Sequence, residues 1–176
     1  MCVHCLYVLT CVVATTVYVQ SLYVLTGVVA TTVCVQCLYV QDCRKGWQYF
    51  GESCYGFGAS RTVWGAAQAI CKVYNGKLAE IETFEENEFL KNLAKSKQAD
   101  RVFLGGTDIF GEGNWEWSSS GKHIFPFVDW VPGEPNDSSG QDCLILDRQN
   151  EYSWDDYSCN MAVYFICEAK STEIVG

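Results

Sequence analysis

Six cysteines, Cys43, Cys54, Cys71, Cys143, Cys159 and Cys167, are spread across the charged part of this chain. No other feature narrows the possible folds as much. Each bridge would tie together segments separated in sequence, and cysteine at this density in a short chain belongs to an oxidising compartment. An even number permits three bridges, but spacing alone leaves their connectivity open.

The other five cysteines, Cys2, Cys5, Cys11, Cys34 and Cys37, lie in a first segment, residues 1–41, that contains no Asp, Glu, Lys or Arg. Leu6-Tyr7-Val8-Leu9-Thr10 returns as Leu22-Tyr23-Val24-Leu25-Thr26, and a third copy begins at Val33. This short period matches none of the common solenoid repeats. Three readings compete. A secretory signal would use the small residue at Ala14 or Ala30 after an apolar run, although no basic residue precedes that run. A membrane span needs about twenty apolar residues. Thr and Gln interrupt every such window, and Arg44 and Lys45 behind it would place the domain in the cytoplasm, against its cysteines. Cys2-x-x-Cys5 with Cys34-x-x-Cys37 has zinc-like spacing, yet duplication explains the second pair without a metal. The preferred expectation is a divergent secretion signal and a secreted protein, with membrane association only if the segment is retained as an anchor.

The formal charge of −9 falls entirely on residues 42–176. Such a balance argues against a nucleic-acid partner, which needs a basic face. It suits carboxylates gathered around cations, or a merely solvated acidic surface. All six tryptophans lie in the same part, enough to build a core.

Local patterns place the elements. Cys43 to Tyr55 reads as a β-hairpin turning near Gly51. Ser60 is expected to cap a helix from Arg61 to Tyr74, with Trp64, Ala67, Cys71 and Tyr74 on one apolar face and Gly76 ending it. Leu78–Ile81 is a short strand. Thr83-x-x-Glu86 is a capping box that opens a second helix burying Phe89, Leu90 and Leu93. Strands are expected at Val102–Gly106, Trp115–Trp117, Cys143–Asp147 and Ala162–Glu168. Between them, residues 121–141 form a long loop stiffened by Pro132 and Pro135, and loops of that length are usually functional or disordered.

The stretch from Trp130 to Cys159 concentrates the chemistry. Glu134-Pro135-Asn136, Gln141-Asp142-Cys143 and Trp154-Asp155-Asp156 crowd carboxylates and carboxamides into short runs. Hard oxygen donors of this kind suit Ca²⁺, which takes about six to eight of them. Trp154 reads as core rather than as a stacking platform. No nucleophile-and-base pair, phosphate loop or histidine pair is present. A glycosidase reading of Glu134 with Asp155 fails because both must be ionised to hold a metal. An enzyme is not expected.

Trp47, Cys54-Tyr55, the helix with Cys71, Phe103-Leu104-Gly105-Gly106, Glu134-Pro135-Asn136, Trp154-Asp155-Asp156 and Cys159…Cys167 together resemble a C-type lectin domain over roughly residues 43–168. The resemblance implies an α+β C-type lectin-like fold with two helices, two small antiparallel sheets and a long calcium-binding loop region. It divides the chain into the segment 1–41, a lectin-like domain 42–170 and a C-terminal tail 171–176. It implies the bridges Cys43–Cys54, Cys71–Cys167 and Cys143–Cys159.

Carried over position by position, the principal Ca²⁺ ligands fall on Glu134, Asn136, Gln141, Asp155 and Asp156. An auxiliary calcium site falls on Asp108, Glu112, Asp137 and Asp142. Glu134, Asn136, Gln141 and Asp155 would also contact the sugar. Each of two neighbouring hydroxyls gives a proton to an acid, accepts one from an amide and offers a lone pair to the metal. Glu-Pro-Asn is the variant that accompanies mannose, fucose and N-acetylglucosamine in this family, with a Glu134–Pro135 bond expected in cis. The family usually has Glu where Gln141 stands and Asn where Asp155 stands, so acid and amide have traded places. The expected partners are glycans with mannose-type vicinal hydroxyls, in pathogen recognition. The alternative is a protein-binding or matrix module of the same fold. No heptads form a neck, though single-site lectins commonly rely on multivalency.

Overall fold

The computed structural model describes residues 40–138 and 140–174. In chain order the elements are β1 (Val40–Asp42), β2 (Gln48–Phe50), β3 (Ser53–Phe57), α1 (Trp64–Val73), β4 (Lys77–Leu78), α2 (Phe84–Ser96), β5 (Arg101–Thr107), β6 (Glu116–Trp117), β7 (Lys122–His123), β8 (Cys143–Asp147), β9 (Ser153–Tyr157), β10 (Tyr164–Lys170) and β11 (Thr172–Ile174). A short 3-10 turn, Arg148–Asn150, joins β8 to β9. The α+β class with two helices is as expected.

The two antiparallel sets are continuous with each other. β2, β3, β10 and β4 form one, and β5 to β9 the other. They join where β10 runs parallel to β5, Tyr164 beside Val102 and Phe165 beside Phe103, giving one mixed sheet. β1 pairs with β11, Gln41 opposite Glu173, so described strands reach past both expected boundaries at 42 and 170. The secretion-signal, anchor and zinc readings fall, apart from Val40 and Gln41, outside the described residues. Among the described residues no helix is long and apolar enough to cross a membrane.

The central strands β5 and β8 are buried on both faces, and they show it in their alternation. On β8, Leu144 and Leu146 join a cluster with α2 residues Leu90, Leu93 and Ala94. Ile145, between them, joins the opposite cluster with α1 residues Trp64, Ala67 and Cys71. Val102 and Leu104 against Phe103 divide β5 in the same way. All three bridges pair as the family resemblance implies: Cys43–Cys54, Cys71–Cys167 and Cys143–Cys159.

The start of α1 differs from expectation. It begins at Trp64, with Val63 in the cap position and no side-chain cap, so Ser60 does not cap it. Long-range backbone pairing has already claimed the residues before it. Thr62 N–H donates to Val163 O (2.9 Å), Val163 N–H to Thr62 O (3.1 Å), and Trp64 N–H to Cys159 O (3.0 Å). At the other end Tyr74 is exposed rather than on the apolar face. Asn75 takes the left-handed turn, φ 57°, and Gly76 N–H closes onto Cys71 O. Gly76 is required for another reason: a Cβ there would sit 2.3 Å from Glu168 O on β10.

The capping box of α2 is half realised. Thr83 Oγ1 accepts the Glu86 N–H at 3.2 Å. The Glu86 carboxylate turns instead to Glu82 N–H at 2.9 Å and to the Tyr55 hydroxyl.

Candidate functional site

The site is assembled around a tryptophan. Trp154 on β9 is fully buried, as its core reading required, and its Nε1 donates to Asn87 Oδ1 on α2 at 2.8 Å. The Asn87 amide donates onward to Asp129 Oδ2 at 2.8 Å, where Lys91 Nζ also binds at 2.8 Å. Asp129 and Val131 grip the backbone of the same tryptophan. Trp154 N–H donates to Asp129 O (2.8 Å) and Val131 N–H to Trp154 O (2.9 Å). The entry of the long loop is therefore fastened to the strand that carries Asp155 and Asp156.

From that anchor the loop turns, Glu134 N–H meeting Val131 O at 2.9 Å, and Glu134–Pro135 is cis. Asn136 and Asp137 then donate their backbone N–H groups to the two oxygens of Asp156, at 3.2 and 2.9 Å. Asp156 is only 1% exposed, so a buried carboxylate is held by backbone donors, as a buried charge must be. Asp137 adopts φ 48° and its Oδ1 accepts Gln141 N–H at 3.1 Å. The Gln141 side chain donates through Nε2 to Asp156 O at 2.8 Å. Asn150 Nδ2 lies 3.5 Å from Asp155 Oδ2.

Two carboxylate clusters result. Glu134, Asp155 and Asp156 bring ligand oxygens within 4.8 Å of one another. Glu112, Asp137 and Asp142 do the same. The fourth expected auxiliary residue, Asp108, stands behind that second cluster. It is buried, with Oδ2 accepting Gly113 N–H at 2.9 Å. Asp142 is fixed by its backbone, its carbonyl receiving the Thr107 hydroxyl at 2.6 Å.

The electrostatics mark both clusters as unbalanced. Burial, followed by contact with Asp156 and the charge of Asp155, raises the Glu134 carboxyl above its ordinary range. Burial and then Asp156 raise Asp155. Asp108 is raised by burial and, less, by Asp142 and Asp137. Desolvation, and then Asp108, Asp137 and Asp142, raise Glu112. One buried carboxylate oxygen in the first cluster, Glu134 Oε2, and one behind the second, Asp108 Oδ1, have no hydrogen-bond partner. Crowded anions with orphaned oxygens and amide neighbours are the donor set a hard divalent cation satisfies, so these residues fit calcium.

Asn87 and Asp129 were not singled out from the sequence. A signal existed for the first. Asn87 lies on the stripe of Leu90 and Ala94, three and seven residues on, where a polar group must find a buried partner. Asp129 gave none, because its role depends on contacts with α2 and β9 that are remote in sequence.

The sequence model of the family described as the lectin C-type domain matches residues 60–169. The chain is 31% identical over 134 residues to CD209 antigen-like protein D of Mus musculus, covering 75% of this chain and 54% of that protein. It thus spans about half the length of that relative. Among solved structures, the cow C-type carbohydrate-recognition domain of CD23, solved in the presence of a GlcNAc2Man3 oligosaccharide, superposes with a TM-score of 0.68 at 28% identity, covering 76% of this chain and 99% of that one. A calcium-independent type II antifreeze protein superposes as well, TM-score 0.69 at 27% identity, covering 77% of this chain and 99% of that one.

Proposed function

Because the chain belongs to the C-type lectin family, whose fold is a carbohydrate-binding and non-enzymatic one, we propose that it binds glycans in a calcium-dependent manner through the stretch from Trp130 to Cys159. The orphaned Glu134 Oε2, buried inside the triad with Asp155 and Asp156, carries this reading. A buried carboxylate oxygen without a partner is costly, and a cation at that point removes the cost.

Glu134, Asn136, Gln141, Asp155 and Asp156 would hold the principal ion, and Asp108, Glu112, Asp137 and Asp142 an auxiliary one. When bound, calcium supplies the coordination that takes lone pairs from two vicinal hydroxyls. Glu134 and Asp155 accept the hydroxyl protons, while Asn136 and Gln141 donate. Gln141 has spent one N–H on Asp156 O, but a carboxamide carries two, and the second serves the sugar. Mannose, fucose and N-acetylglucosamine present the matching hydroxyl pair. The three disulfides support work in an oxidising, extracellular setting, for which recognition of mannose-rich microbial surfaces is the fitting task.

A glycan array run with the full chain in calcium and in chelator tests the reading. Binding to mannose-type glycans in calcium only is the expected result, and binding that survives the chelator removes calcium from the mechanism. A second reading, a protein-binding or matrix module, draws support from the engagement of Gln141 with Asp156 and from the likeness to a calcium-independent protein. An array blank in both conditions would favour it.

A further inference from the structure

The turn after β5 carries two apolar residues on an otherwise acidic rim. Phe110 is 83% exposed and Ile109 47%, in a run otherwise made of Asp108, Gly111, Glu112, Gly113 and Asn114. Single exposed apolar residues are ordinary. Two features set this one apart.

The first is rigidity. Gly111 N–H donates to Asp108 O and Asn114 N–H to Gly111 O, both at 2.8 Å. Gly113 N–H reaches Asp108 Oδ2 at 2.9 Å, and Ile109 N–H reaches Thr107 Oγ1 at 3.3 Å. Two successive turns thus hold the backbone that presents Phe110 outward, so the part of the ordering cost that falls on the main chain has already been met. The second is position. Glu112, two residues further on, meets Asp137 and Asp142 through carboxylate oxygens within 4.8 Å of one another. Asp137 directly follows Asn136 and shares with it the carboxylate of Asp156. The turn therefore stands beside the loop that carries Asn136.

We propose that Phe110 is a second contact for the glycan, so that the site selects chains of two or more sugar residues. The ring next to the metal-held sugar lays its C–H face on the phenyl ring, which is how a rigid aromatic adds apolar contact to a polar site. This second contact presupposes the sugar site at Glu134 and Asn136.

Calorimetry on the calcium-loaded full chain, with methyl α-mannoside and with a mannose disaccharide, separates the two. Wild-type protein should prefer the disaccharide. In Phe110→Ala that preference should fall by about threefold to tenfold, with affinity for the monosaccharide and for calcium unchanged. Phe110→Trp should keep the preference. If the alanine variant binds both sugars as wild type does, or loses both equally, or if wild type shows no preference, the second contact is overturned while the sugar site stands. If wild type binds neither sugar in calcium, the sugar site itself is overturned.

Discussion

The two acidic clusters contain the same kind of side chain but are built differently. Glu134, Asp155 and Asp156 draw on a strand of the sheet and a loop fastened to it, and Asp156 is sealed beneath two backbone N–H donors. Glu112, Asp137 and Asp142 come from turns at the surface, with Glu112 and Asp137 exposed. A cation at the first cluster meets carboxylates already ordered by the fold. At the second it must order exposed groups itself, at an entropic cost. The first should therefore bind calcium more tightly and decide sugar binding, and the second should adjust it.

The most severe way to break this contrast is Asp156→Ala. It removes a principal carboxylate and the acceptor for the Asn136 and Asp137 backbone groups, each a charge-assisted hydrogen bond of about 1.5–3 kcal/mol. The tighter calcium event and sugar binding should both vanish in calorimetry, and most of the calcium-induced rise in melting temperature should go with them. A variant that keeps the tighter event would place the dominant ion in the other cluster.

Next in size is the exchanged pair. Gln141→Glu leaves two acids and no amide for one hydroxyl, and Asp155→Asn leaves two amides and no acid. Each should cost sugar affinity about 1.5–3 kcal/mol, while the Glu variant tightens calcium and the Asn variant weakens it. The double variant should recover sugar binding, giving a coupling energy in a double-mutant cycle. Additive losses would show that the two positions share no hydroxyl.

Acidity offers a graded test. Glu134 and Asp155 sit above ordinary carboxylate values, so their anions are disfavoured in the metal-free fold, which is relieved as pH falls through the raised values. Calcium requires the same groups ionised, so its affinity falls over the same interval. The two effects have one sign. The difference in melting temperature between calcium-loaded and chelated protein should narrow as pH drops from about 7 toward the ordinary carboxylate pKa of about 4. A constant difference would exclude these carboxylates as ligands.

The mildest expectation belongs to the surface cluster. Glu112→Gln should abolish a second, weaker calcium event in calorimetry and leave monosaccharide affinity within about twofold, the scale of ordinary surface changes. A loss of sugar binding equal to that of Asp156→Ala would erase the distinction between the clusters.

What could be read from the sequence follows the range of the interactions involved. The run Glu134-Pro135-Asn136 and the pair Asp155-Asp156 are local signals, and the structure brings Glu134, Asp155 and Asp156 together. Thr83 likewise caps α2 because its partner is three residues away. Ser60 failed as a cap because Val163 and Cys159, remote in sequence, hold the backbone beside it. The bridge Cys71–Cys167, 96 residues apart, was open to resemblance but closed to spacing. The relay from Trp154 through Asn87 to Asp129 lies wholly in tertiary contacts, where local pattern carries little information.

That relay has a bearing on how the binding loop can change over evolutionary time. At its entry Val131 N–H is bonded to Trp154 O, and at its exit Asp142 O receives Thr107 Oγ1, so both ends are set by the sheet and neither depends on residues 132–141. A segment clamped in this way behaves as an exchangeable cassette. Its length and sequence can drift, since the closure cost grows only slowly with length, while the core beneath keeps its packing. Selection can then rewrite what the loop recognises without first having to find a new fold.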